Sequence, residues 1–371
     1  MKKVAAFIVL ALFALCVPAQ AQDVKIGLMC PLTGAWANEG QDMQRMLEIL
    51  VDDLNAQGGI NGNKVELITE DDGGSPRTAA LAAQRLVSSG VVAVVGTYGS
   101  AVTEASQAIY DEAKVVQIAT GSTSIRLTEK RFSRFFRTCP RDDDQGKAVA
   151  AAVVKLGFNK IALVHDSSSY AMGLAAEAEP LLKAANVEIV YFDALTPGER
   201  DYSTILTKLK SLAPQAIVFT GYYPEAGMLL RQMQEMGWQA PILGGDATNN
   251  MGLVEIAGKE AAKGYYFISP PGPQDLTSQT AQDFMAKYQA KYGDLPRSIW
   301  AVLAGDAFNV IVKAIEKTGP DADAIAQYLH NDLKDFNGFS GAISFDEKGD
   351  RVGDLYRLYQ VSGEGQFILQ P

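Results

Sequence analysis

The chain has 371 residues, 47% of them hydrophobic, and a formal charge of −10. An acidic chain offers no cationic field to a phosphate, which argues against nucleic acid and anionic lipid as partners. The length exceeds what one core usually supports, so two lobes are expected, each with enough apolar residues for its own core.

Lys2 and Lys3 precede an apolar run over residues 4–17, and the small-residue sequence Ala19-Gln20-Ala21 follows. This is the form of a secretory signal peptide over residues 1–21. Its apolar run falls short of the roughly 20 residues that span a bilayer, and no later segment is long and apolar enough. Ala14-Leu15 before Cys16 lacks the small residue of a lipoprotein site, so cleavage is placed after Ala21. Loss of the two lysines takes the formal charge from −10 to −12 and leaves 350 residues. The protein is then expected to be soluble and exported. Only Cys30 and Cys139 remain, and in an oxidising compartment they could either pair or stay as buried thiols.

From residue 24 onward, short apolar runs alternate with stretches of helical periodicity, which is the sequence form of β-α-β units on parallel sheets. Strands are predicted over 24–29, 64–69, 91–96, 115–119, 161–165, 188–192, 216–220 and 264–269. Helices are predicted over 41–57, 78–89, 101–112, 146–156, 202–212, 225–236 and 279–292. The fold class is α/β, with two Rossmann-like lobes, one opening at Val24 and the other near Asn159. Prolines after apolar runs mark crossovers at 138–142 and 269–273, and a third falls near 344–350. The expected lobes are 22–140 plus 271–345 and 141–270 plus 346–371. Three crossovers leave neither lobe contiguous, so the cleft between them is the expected ligand site.

Polar and aromatic residues stand just after several of these strands, where open α/β sheets bind ligands. Ser100 follows the run 91–96 at a helix start, where unpaired N–H groups favour an anion, although it could simply cap that helix. Ser122 and Thr123 follow 115–119 and can serve the same anion, or form an ordinary turn. Tyr170 and Tyr222 begin helices after the strands at 161–165 and 216–220, and Asp246 follows Gly244-Gly245. Hydroxyls and helix starts for an anion, with a carboxylate and aromatic faces for a cation, together suit a zwitterion such as a free amino acid. Only His165 and His330 are present, and no metal cluster, catalytic triad, calcium loop or cofactor motif is found, so neither an enzyme nor a cofactor is expected.

Pro31-Leu32-Thr33-Gly34, the run from Asp53 to Gly62, Gly221-Tyr222-Tyr223-Pro224-Glu225 and the sequence from Phe345 to Asp350 are further landmarks. With the signal peptide, they make the chain resemble the branched-chain amino-acid-binding proteins of ABC importers over its whole mature length. The resemblance implies a type I periplasmic binding protein that is monomeric and delivers its ligand to a membrane permease. It implies that Ser100 and the Thr123 backbone hold the α-carboxylate. The Ser122 carbonyl region, the Thr123 hydroxyl and Asp246 would hold the α-ammonium, while Tyr170 and Tyr222 close over the ligand.

Some positions depart from the family pattern. Asp246 stands where Glu is common, Glu39 where an aromatic wall is usual, and Tyr98 where a small aliphatic is. Gly74 and Gly99 occupy positions that often form a disulfide, so that bridge is expected to be absent. Glu39, Tyr98 and Gly99 join the candidate site at its side-chain end. An unpaired Glu39 would argue against a purely aliphatic ligand. A solute without a cation, such as an amide, urea or aromatic acid, and a ligand sensor rather than an importer component, are the alternatives.

Overall fold

A computed structural model describes residues 23–371, and the signal peptide expected over 1–21 lies outside them. Five parallel strands build the first sheet: β1 (Val24–Cys30), β2 (Val65–Asp71), β3 (Ala93–Val95), β4 (Val116–Ala119) and β5 (Phe135–Arg137), in the order β2-β1-β3-β4-β5. Ala93–Val95 and Val116–Ala119 are wholly buried. Strands covered on both faces read as continuous apolar runs, not alternating ones.

The second sheet holds β6 (Lys160–His165), β7 (Glu188–Ala194), β8 (Ala216–Phe219), β9 (Ile242–Gly244) and β10 (Tyr266–Ser269), all parallel to their neighbours. A hairpin, β11 (Phe336–Gly338) and β12 (Gly341–Ile343), stands apart from both sheets. The last two strands, β13 (Arg357–Val361) and β14 (Phe367–Leu369), extend the second sheet in antiparallel sense. Its order is β14-β13-β10-β9-β8-β6-β7.

Each strand predicted from sequence is present, with no end moved by more than two residues. Two helix starts lie four residues earlier than the apolar periodicity suggested. The first is Ala37–Ala56, whose opening turn carries the buried polar Glu39 and therefore breaks the pattern. The other is Asp142–Lys155, which opens on Asp142, Asp143 and Asp144, three carboxylates suited to a helix N-terminus. The helix Ile299–Thr318 was not anticipated. Fifteen of its residues are buried, so it shows no amphipathic stripe to detect. It packs against Ala37–Ala56 and the first sheet.

The chain passes between sheets three times: after β5, after β10, and between β12 and β13. The first and third passages are tied by Arg137, whose side chain is fully buried. Its Nε donates to Asp350 Oδ1 at 2.5 Å, its Nη1 to the carbonyls of Ser122 and Ser124 at 3.0 and 2.9 Å, and its Nη2 to Thr128 Oγ1 at 2.7 Å. Arg141 adds a second contact to Asp350 at 2.6 Å. Burial alone would raise the Asp350 pKa, but the two arginines reverse this and hold it below the usual carboxylate value. Arg351 continues the stitching, donating to the Thr138 carbonyl at 3.1 Å, while the Thr138 hydroxyl reaches the Leu303 carbonyl at 2.9 Å.

Cys30 and Cys139 are both buried and free. Arg137→Ala strands Asp350 with one partner fewer in a dry site. It should lower unfolding free energy by about 3–5 kcal/mol, read from urea denaturation. A loss under 1 kcal/mol would show that Arg141 alone suffices.

Candidate functional site

The loops leaving β3 and β4 lie side by side at the carboxyl ends of the first sheet. Ser100 is the first residue of the helix Ser100–Glu112, whose N-cap is Gly99 and which has no side-chain cap. Its hydroxyl instead accepts the Ser124 N–H at 3.2 Å, so the simple capping reading fails and the residue bridges the two loops. Ser122 is the second bridge. Its hydroxyl lies 2.7 Å from Thr103 Oγ1 and 3.1 Å from the Tyr98 carbonyl. Its carbonyl accepts from Arg137 and from the Cys139 thiol. With both polar groups engaged within the protein, Ser122 braces the loop. Thr123 differs, because its buried hydroxyl has no partner among the described residues.

Opposite these loops, the second sheet presents Tyr170, Tyr222 and Asp246, all buried. Gln145, from the helix after the first crossover, organises this side. Its Oε1 accepts the Asp246 N–H at 2.9 Å and the Tyr170 hydroxyl at 3.1 Å. Its Nε2 donates to Tyr356 Oη at 3.1 Å and Asp142 Oδ1 at 3.3 Å. Gly245 permits this arrangement, since a Cβ there would run into Tyr170 Oη and Gln145 Oε1. The Tyr356 hydroxyl donates to Asp246 Oδ2 at 3.0 Å.

Asp246 therefore has hydrogen-bond donors, yet no Lys, Arg or His among the described residues forms an ion pair with it. Burial pushes its pKa up to about 7 against the effect of the tyrosine hydroxyls. Asp142 is raised as well, first by burial and then by the Asp246 charge, and its Oδ2 has no partner among the described residues. Two neighbouring buried carboxylates and no paired cation form a site that favours a positive group.

At the other end of the cleft, Glu39 accepts from Asn250 Nδ2 at 2.7 Å and from the Ser298 hydroxyl. Burial outweighs these donors and pushes its pKa up to about 8. The premise of an unpaired Glu39 is thus overturned. Gly74 and Gly99 do not form a bridge; they flank the Trp36 indole, and a Cβ on either would come within 2.8 or 2.9 Å of it. Trp36 stacks on Tyr222 with centroids 4.2 Å apart, and Tyr98 meets both rings edge-on. Trp36, Gln145, Asn250, Ser298, Trp300 and Tyr356 escaped the sequence reading. The signals for the first two were an aromatic residue in the loop after β1 and an amide at a crossover helix start.

The two sides are in contact. The Asn250–Glu39 bond, the Tyr223 hydroxyl on the Ala35 carbonyl at 2.9 Å and Arg126 on Ser169 Oγ at 2.7 Å all join elements of the first sheet to elements of the second. A polar cleft closed between two α/β lobes at strand carboxyl ends defines a two-lobe solute-binding protein. A family model described as periplasmic binding protein matches residues 23–366. The Leu/Ile/Val-binding protein BraC3 of Rhizobium johnstonii is 34% identical over 347 residues, 92% of this chain and 93% of that protein. The leucine-, isoleucine-, valine-, threonine- and alanine-binding protein of Pseudomonas aeruginosa is 32% identical over 92% of this chain and 90% of its own. The branched-chain amino acid transporter substrate-binding protein LivJ of Streptococcus pneumoniae, solved with isoleucine, superposes with a TM-score of 0.84 at 32% identity, covering 94% of this chain and 100% of that one. The chain belongs to the periplasmic binding proteins, in the Leu/Ile/Val-binding family.

A carboxylate whose folded pKa stands near 7, above the ordinary 3.8, costs nothing at low pH and progressively more as pH rises between the two values. Asp246→Asn should remove this cost. In ligand-stripped protein it should raise stability at pH 8 by at most about 4 kcal/mol and leave pH 4 unchanged, checked by thermal melts across pH. An unaltered pH slope would place the cost elsewhere.

Proposed function

We propose that this protein is the periplasmic substrate-binding component of an ABC importer, capturing a free α-amino acid between its lobes and presenting the closed form to a membrane permease. The observation that carries this reading is the buried Asp246 carboxylate without an ion-pair partner, set opposite the Ser100 and Thr123 loops. An α-ammonium would supply the missing charge at Asp246 and the Thr123 hydroxyl. The start of the helix at Ser100 and the Thr123 backbone would receive the α-carboxylate. A ligand without a cation would leave Asp246 unpaired, which disfavours amides, urea and aromatic acids.

The names of the relatives point the same way, since they bind leucine, isoleucine and valine, and in one case threonine and alanine as well. Tyr170 acts through Gln145 on Asp246, and Tyr222 closes the cleft against Trp36. The lobes are 22–140 plus 271–345 and 141–270 plus 346–371, with residues 1–21 as an export signal. The protein acts as a monomer, binds no nucleic acid, and returns its ligand unmodified.

Titration calorimetry on refolded, ligand-stripped protein tests this. Wild type should bind one or more L-amino acids, and Asp246→Ala should weaken binding by roughly 1.5–3 kcal/mol through loss of a charge-assisted hydrogen bond. Unchanged affinity in the variant would remove Asp246 from the site. Binding confined to amine-free solutes would refute the amino-acid reading.

A further inference from the structure

Resting on the amino-acid reading, we propose that the side-chain end of the cleft selects a short side chain carrying a hydrogen-bond acceptor, such as that of threonine or serine, over hydrocarbon side chains. Two observations carry this, one of size and one of chemistry.

The size argument starts from Trp36. Its indole lies in the slot between Gly74 and Gly99 and stacks on Tyr222 at 4.2 Å with a 30° interplanar angle. Tyr98 stands edge-on to Trp36, Tyr222 and Trp300, with centroids 5.5, 5.8 and 5.9 Å away. Rings in mutual van der Waals contact leave no gap for a leucyl or isoleucyl chain between them. Such a ligand could enter only by forcing the stack apart.

The chemical argument concerns Tyr98 and Trp300. Both side chains are buried, and neither Tyr98 Oη nor Trp300 Nε1 has a hydrogen-bond partner among the described residues. An indole N–H can only donate, so what it lacks is an acceptor, not a cation. Glu39 does not supply one: its oxygens accept from Asn250 and Ser298, and neither is hydrogen-bonded to the indole N–H. Two rings in contact, each with an unused donor, favour an acceptor atom on the ligand. Leaving a buried donor unmet costs roughly 5- to 150-fold in affinity.

Threonine and valine have nearly the same shape and differ in the acceptor, so they isolate the effect. Calorimetry on the ligand-stripped protein should find L-threonine bound at least about tenfold more tightly than L-valine, with leucine weaker still. Tyr98→Phe and Trp300→Phe each remove one donor, and one or both should collapse the ratio by weakening threonine while sparing valine. Trp36→Ala opens the slot and should improve leucine binding. Valine or leucine equal to or tighter than threonine overturns the proposal and leaves the amino-acid reading intact. A threonine preference unchanged in both Phe variants also overturns it. Failure of every α-amino acid to bind, with another solute bound, overturns the amino-acid reading and this inference together.

Discussion

Arg137 is the interaction on which the rest of the architecture hangs. Its guanidinium is removed from water, so its charge is tolerable only with a counter-charge and several acceptors around it. Asp350 provides the counter-charge, and the Ser122 and Ser124 carbonyls and the Thr128 hydroxyl complete the set. Asp350 belongs to the third passage between lobes, while Ser122 and Ser124 flank Thr123 in the loop after β4. One side chain therefore fixes both a hinge segment and the loop proposed to meet the ligand. Any displacement of that loop must be absorbed by the hinge network, which couples site geometry to lobe movement without a long relay.

The charge pattern of the cleft follows a different logic. Arg137 and Asp350 are matched within the protein, whereas Asp142 and Asp246 are two acids with no ion-pair partner of their own. The first arrangement is a permanent joint. The second is a cost carried in the closed form that a bound cation would relieve, so closure would be favoured only when the correct charge is present. On the proposed reading, differential stabilisation of the closed state would let a permease distinguish loaded from unloaded protein.

Much of this was legible in the sequence, for reasons that can be named. Buried parallel strands announce themselves as apolar runs, and the turn residues that follow them mark strand exits, which is why Ser100, Thr123, Tyr170, Tyr222 and Asp246 could be placed on the loops that face one another. The helix Ile299–Thr318 was silent because it is apolar on nearly every face. Gln145 and Tyr356 were invisible because their contacts to Asp246 span more than 100 residues. Glu39 was read as exposed to the ligand unpaired, since neither Asn250 nor Ser298 is near it in the chain. The glycines at 74 and 99 signalled a missing bridge; that they make room for an indole required three dimensions.

The Trp36 stack has an optical consequence. The chain contains three tryptophans, at 36, 238 and 300. Trp36 alone is stacked on an aromatic ring that follows a strand of the other sheet. Parting the lobes would unstack that indole and admit water to its face, changing its emission while leaving Trp238 at its place beside β9. The cleft thus carries its own chromophore, by which any opening and closing of the molecule would be followed in real time without an attached dye.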